Sequence, residues 1–194
     1  MEGMAAGVPP DIQALADQFN AAERDAGTLV AGLSEEQGAW QAEVSSWTVA
    51  QCLDHLAITN RAYLSAMREP AVQGMEQQRQ RRGPARPGWA GRWFVSALEP
   101  PVKMRIRAPK IVVPRRAPAL ADSFSSFTAS QHEVRAFLHM YADLDLAGIR
   151  LPNPFARGVR FSLATALHAI AAHERRHLWQ AWGVRRAWEQ GAGK

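Results

Sequence analysis

Apolar residues recur three and four positions apart along most of the 194-residue chain. Pro9-Pro10 leads into a stretch where Ile12, Leu15, Phe19 and Ala22 form one stripe, with Gly32 as its stop. Ser34 and Gln37 have the spacing of a capping box and predict one short turn. Thr48 and Gln51 repeat that spacing ahead of Val49, Leu53, Leu56, Tyr63, Leu64 and Met67. A second long helix is therefore expected, ending near Glu69 because Pro70 follows. A third comes after Pro118, through Phe124, Phe127, Val134, Phe137 and Leu138, and a last one starts near Ser162 and runs past Trp182. Residues 144–158, with Pro152 and Pro154, read as a loop. Only Lys110–Val113 offers a weak strand pattern, and internal repeats are absent.

Residues 70–118 differ from the rest. Pro84, Pro87, Pro100, Pro101, Pro109, Pro114 and Pro118 forbid one long element there, although a short amphipathic helix fits around Trp89 to Leu98. Four long helices with one long crossover between the second and third predict an all-α protein. The expected architecture is a four-helix bundle in which helices 2 and 3 run parallel. The whole chain, 1–194, reads as one domain, with segment 70–118 packed on the bundle.

Composition narrows the classes. With 47% hydrophobic and 21% charged residues the chain can bury a real core, which excludes disorder as its main state. No run is long and apolar enough to span a membrane, and the first residues do not read as a secretory signal. The single cysteine, Cys52, cannot form an internal disulfide. A soluble, cytoplasmic protein is expected. The net charge of +5 is unevenly spread. Residues 79–116 hold eleven of the 23 basic residues and one of the 18 acids, Glu99. Basic character thus belongs to one segment, not to the whole surface. Its arginines, around Trp89, Trp93 and Phe94, suit contact with anionic membrane or nucleic acid. They suit better a segment docked on the bundle with aromatics buried and guanidinium groups in water. An anionic co-substrate is a third use for the charge.

The sharpest chemical signal is His173-Glu174-Arg175-Arg176-His177. Two histidines at i and i+4 lie one helical turn apart, so both imidazoles can reach one metal ion. As text this is the HExxH motif of zinc proteases, with the glutamate as general base. That reading fails here: only 17 residues follow His177, and they hold no third histidine and one acid, Glu189. The better third ligand is His55 on the second helix. Three imidazoles from two facing helices leave a coordination position for water or substrate, which catalysis requires.

Several of these residues carry a family resemblance. Trp47-Thr48-Val49-Ala50-Gln51 followed by Asp54-His55-Leu56 resembles the start of the second helix in DinB-like proteins. HERRHLWQA, residues 173–181, is similar to the terminal signature of the DinB-2 branch, and residues 86–109 also resemble that branch. The likeness runs from about residue 11 to residue 184. It implies a four-helix bundle and a divalent metal, zinc or nickel most often, held by His55, His173 and His177. Related activities include thiol transfer with bacillithiol and isomerisation with mycothiol, so a small-molecule substrate such as a low-molecular-weight thiol is implied. The resemblance implies no DNA chemistry, and no nucleic-acid partner is expected. The ligand set alone also admits iron or copper.

The remaining candidates have plainer readings. Cys52 shares a face with His55 but reads as a small buried hydrophobe. His168 lies about 140° around the helix from His173 and should not share its ion. His132 and His139 read as surface or satisfied groups. Asp54 and Glu174 are the candidate carboxylate partners for a ligating imidazole; for Glu174 an ion pair with arginine is the stronger expectation. Arg175 and Arg176 suit surface pairs, and Trp179, Trp182 and Trp188 suit packing or a homodimer interface. Two functional classes follow: a metal-dependent transferase or hydrolase, or a non-catalytic metal-binding or interaction module using the basic segment 79–116. A dimer that has lost catalysis is a further variant.

Overall fold

The computed structural model describes residues 7–43, 46–101 and 108–191. Lys103, Arg105 and Arg107 of the basic segment lie outside the described residues. The protein is mostly helical. Helix α1 spans Pro10–Val30, α2 Glu35–Gly38, α3 Val49–Glu76, α4 Trp89–Leu98, α5 Leu120–Met140 and α6 Leu163–Gly191. Both expected capping boxes form, with the Ser34 and Thr48 hydroxyls accepting from the Gln37 and Gln51 amides and each glutamine reaching back. Ser162 accepts from the Thr165 amide at the start of α6.

The four long helices pack on one another, α3 against α5 and α6, and α1 against the same two. Two apolar clusters fill the interior. Phe19, Met67, Leu138, Leu163 and Ile170 belong to one, and Leu29, Leu53, Leu56, Phe127 and Leu178 to the other. Between them, Thr59, Asn60, Ser130, Gln131 and Glu174 are buried. A polar layer therefore crosses the core at the middle of α3, α5 and α6.

Three sequence expectations need correction. The second long helix does not stop before Pro70: α3 continues to Glu76 with Pro70 inside it. An interior proline costs about 3 kcal/mol or more, but the buried stripe of Met67, Ala71 and Gly74 continues past it. Gly74 lies so close to the segment after α5 that a Cβ there would meet the Ile149 Cδ1 at 2.5 Å. Packing of that face outweighs the missing backbone bond, and the crossover begins after Glu76. The weak strand at Lys110–Val113 is instead a 3₁₀ turn, Lys110–Val112. Residues 144–158 are not all loop, because β1 (Arg150–Pro152) pairs antiparallel with β2 (Arg160–Ser162), Leu151 opposite Phe161. Three-residue strands carrying a proline are too short to show alternation.

Ion pairs and backbone bonds tie down the crossover. Asp11 accepts from the Arg81 guanidinium and, at 2.7 Å, from the Ala85 amide. Asp54 accepts from the Arg115 amide at 2.8 Å and from its guanidinium at 2.7 Å. Helix α4 lies on α6, close enough that a Cβ on Gly91 would meet the Thr165 hydroxyl at 2.5 Å. Docking of the segment is thus observed, but not with its aromatics buried. Phe94 packs inward while Trp89 and Trp93 are 79% and 71% exposed. With Val95 and Leu98 also filling the inner face, ten residues of helix leave no room there for the two indoles.

Helix α5 has no side-chain cap of its own, since Ala119 occupies that position. The Glu35 carboxylate of α2 supplies one, accepting from the Leu120 amide at 2.6 Å and the Ala121 amide at 2.9 Å. Glu35→Ala leaves both amides without this acceptor and leaves Asp122 as the first-turn charge facing the helix dipole. It is expected to destabilise the fold by about 1–2 kcal/mol, lowering the thermal midpoint by roughly 3–6 °C. Calorimetry of the variant beside wild type checks this.

Candidate metal centre

Three histidines on α3 and α6 come together. His55 sits near the start of α3, and His173 and His177 lie one turn apart on α6. One nitrogen from each ring lies within 4.8 Å of the others, and these three form a cluster of metal-ligating type. The His55 and His173 Nε2 atoms are 3.3 Å apart. Adjacent ring centroids are 4.5–5.0 Å apart and steeply inclined, so the rings converge at their nitrogen edges.

Hydrogen bonds fix which nitrogen two of the three rings present. His55 Nδ1 lies 2.6 Å from the Val112 carbonyl, which only accepts, so Nδ1 carries the proton and Nε2 its lone pair. His177 Nδ1 lies 3.1 Å from the Gln180 Oε1, with the same consequence. Trp47, just before the cap of α3, lies against both rings, 4.6 Å from His55 and 5.4 Å from His177 by centroid. Its indole closes one flank with apolar surface.

Electrostatics favour neutral rings. Burial holds His55 below its ordinary value, although the Val112 carbonyl opposes the shift. Burial and the neighbouring imidazoles hold His173 and His177 well below it. A metal requires neutral imidazoles. A tetrahedral ion with Zn–N distances of about 2.0–2.1 Å would set two ligand nitrogens roughly 3.3–3.4 Å apart. The His55–His173 separation fits that requirement.

The family model of the DinB superfamily matches residues 18–181. The chain belongs to the DinB superfamily. No curated protein and no solved structure matched it.

Other candidates fall elsewhere in this DinB-superfamily chain. His168 Nε2 lies 3.0 Å from the Ala85 carbonyl and outside the cluster. His132 and His139 are exposed on α5. Cys52 is buried among apolar residues, which pushes its thiol up to about 12 and makes it a poor ligand or nucleophile. Trp182 donates to Asp25 at 2.9 Å and Trp188 packs edge-on against Trp40. A groove of about 450 Å³ lined by Ala22, Arg175, Leu178, Trp179 and Trp182 lies between α1 and α6. Counted at 100° per residue, its α6 residues point away from the two histidines.

Two expectations fail at the neighbouring carboxylates. Asp54 serves Arg115 rather than an imidazole. Among the described residues Glu174 makes no arginine pair: it is fully buried and accepts from the Asn60 amide at 2.8 Å. Its position on α6 turns it toward α3 and α5, where Arg135 acts on it only through its charge, while Arg175 pairs with Glu99 outside. Arg176 is buried rather than at the surface, with Nη1 3.5 Å from the Ala97 carbonyl. The sequence reading did not identify the Val112 carbonyl, Gln180 or the covering role of Trp47. Gln180 was accessible to it, standing three residues beyond His177 on the same face.

Burial pushes the Glu174 carboxyl up to about 8, outweighing the amide donors around it. Between about 4.3, the usual glutamate value, and 8 the folded chain holds a proton that the unfolded chain releases. Stability therefore falls as pH rises through this window. Glu174→Gln keeps the amide contact and is expected to flatten that decline. The difference in unfolding free energy between variant and wild type, followed from pH 5 to 9, should grow in the variant's favour. Parallel curves would show that Glu174 stays ionised throughout.

Proposed function

We propose that this chain is a metal-dependent enzyme acting on a small molecule, with His55, His173 and His177 as the ligands of one divalent ion. The observation that carries the reading is the convergence of three imidazole nitrogens within 4.8 Å. Among the described residues no fourth histidine, cysteine or carboxylate joins the cluster, which supports an open rather than a closed site. Zinc or nickel suits the donor set best, with iron and copper as alternatives. A bound divalent ion supplies Lewis acidity, lowering the pKa of a thiol or water that reaches it.

The chain's own residues prepare the site for that chemistry. The Val112 carbonyl and Gln180 hold two rings with Nε2 forward, as outer partners of ligating histidines do. Trp47 shields one flank and lowers the local dielectric, strengthening interactions between charge and ligand. The reaction class we favour is transfer to or from a low-molecular-weight thiol, with hydrolysis as the second member of the same class. We read α1, α3, α5 and α6 as a four-helix bundle with a long crossover between α3 and α5. On this reading the crossover is part of the site, because Val112 belongs to it.

Elemental analysis of the purified chain after zinc or nickel loading tests the proposal. About one ion per chain is expected for wild type, against roughly a tenth or less for His55→Ala and His177→Ala, with far-UV helicity retained. Saturating metal should also raise wild-type stability, by about 2.7 kcal/mol at a hundred times Kd. An empty wild type, or ion content unchanged in both variants, would overturn the ligand assignment. Thiol-transfer and ester-hydrolysis assays on the loaded protein then separate the two chemistries.

A further inference from the structure

Helix α4 uses one face to pack on α6 and turns the other to solvent. Phe94, Val95 and Leu98 lie inward, whereas Trp89 and Trp93, one turn apart, carry 79% and 71% of their surface exposed. Two large indoles side by side in water are not a scattered surface hydrophobe, and a contiguous patch of this kind marks a contact. The charge around them is of one sign. Arg92 lies on the same outer face, and Arg82 and Arg86 stand exposed just before the helix. None of the three has an ion-pair partner among the described residues, unlike Arg79, Arg81 and Arg115. The nearby acids are engaged elsewhere, Glu99 by Arg175 and Asp11 by Arg81.

We propose that the outer face of α4 is a docking surface for an anionic lipid bilayer. Indole is suited to the boundary between headgroup and acyl chain, with its ring in the apolar layer and its N–H among polar groups. Arginines flanking such rings pair with lipid phosphates at the same depth, and both contributions add along one short amphipathic helix. The alternatives fit the observations less well. A second copy docked through this face would set Arg86 and Arg92 of each chain beside the same residues of the other, with no carboxylate between them. Single-stranded nucleic acid is tracked by a charged groove, whereas ten residues of helix, about 15 Å long, present a convex ridge. The metal site plays no part in this attachment.

Vesicle flotation with the full chain tests the proposal, comparing phosphatidylcholine alone with phosphatidylcholine containing about a third phosphatidylglycerol. Partitioning to the anionic vesicles is expected to exceed that to neutral ones at least ten-fold and to weaken with added salt. Trp89→Ala with Trp93→Ala, and separately Arg92→Glu, should each lower it by a similar factor, because these side chains face solvent and their loss leaves the core untouched. Quenching of wild-type tryptophan fluorescence by lipids brominated on the acyl chain should shrink in the double variant. The proposal is overturned by absence of vesicle binding, or by binding undiminished in the folded variants. It is equally overturned if the tryptophan variants convert a dimer to monomer, or abolish oligonucleotide binding, while vesicle partitioning is unchanged.

Discussion

Helices α3, α5 and α6 cannot slide past one another without stranding the polar groups buried where they meet. Asn60 donates both to Ser130 at 3.1 Å and to Glu174 at 2.8 Å, joining one residue from each helix in the buried interior. Losing one such partner leaves a buried polar atom unsatisfied at a cost of about 1–3 kcal/mol. Apolar packing above and below this level would tolerate several registers, since one methyl-bearing side chain substitutes readily for another. The polar layer is therefore what specifies a single register. That register also brings His55 of α3 to within 3.3 Å of His173 of α6.

The site depends in turn on the crossover. His55 faces the cluster with a defined nitrogen because the Val112 carbonyl takes its other proton. Val112 is held by a short 3₁₀ turn, and three residues later Arg115 is clamped by Asp54, the residue beside His55. A segment with little secondary structure is thus fixed at the point where it matters by one carboxylate and one imidazole from the same helix turn. The same reasoning explains why the carboxylate of Asp54 is not spent on a histidine. A guanidinium anchor on the crossover and a neutral carbonyl partner for His55 together keep the imidazole edge free of additional negative charge.

Local chemistry was legible in the sequence, and distant chemistry was not. Ser34, Thr48 and their glutamines announced helix starts because capping boxes close within four residues. The i, i+4 spacing placed His173 and His177 together for the same reason, whereas His55 was singled out by that pair and by the resemblance to DinB-like proteins. The Glu35 cap on α5 spans 85 residues of sequence, and no spacing rule reaches that far. Pro70 misled because its cost is local while the packing of Gly74 on Ile149 that sustains α3 is not. Glu174 misled in a similar way. It suggested one half of a helix–helix ion pair with an arginine, yet only the positions of α3 and α5 reveal that its side is the interior.

These errors share a direction that bears on charge. Sequence reading assigned exposed arginines to water and aromatic residues to the core, whereas α4 exposes both together. Elsewhere the basic segment is neutralised where it touches the helices: Arg81 by Asp11, Arg115 by Asp54, Arg79 by Asp145. Near Trp89 and Trp93 that neutralisation stops. Carboxylates are matched to the arginines that must be held against the fold, and among the described residues none to those beside the exposed indoles. A surface shaped only by solubility needs no indoles, and one shaped only by packing would bury them. Indoles and unmatched guanidinium groups on one ridge are reconciled by an apolar partner that brings its own negative charge.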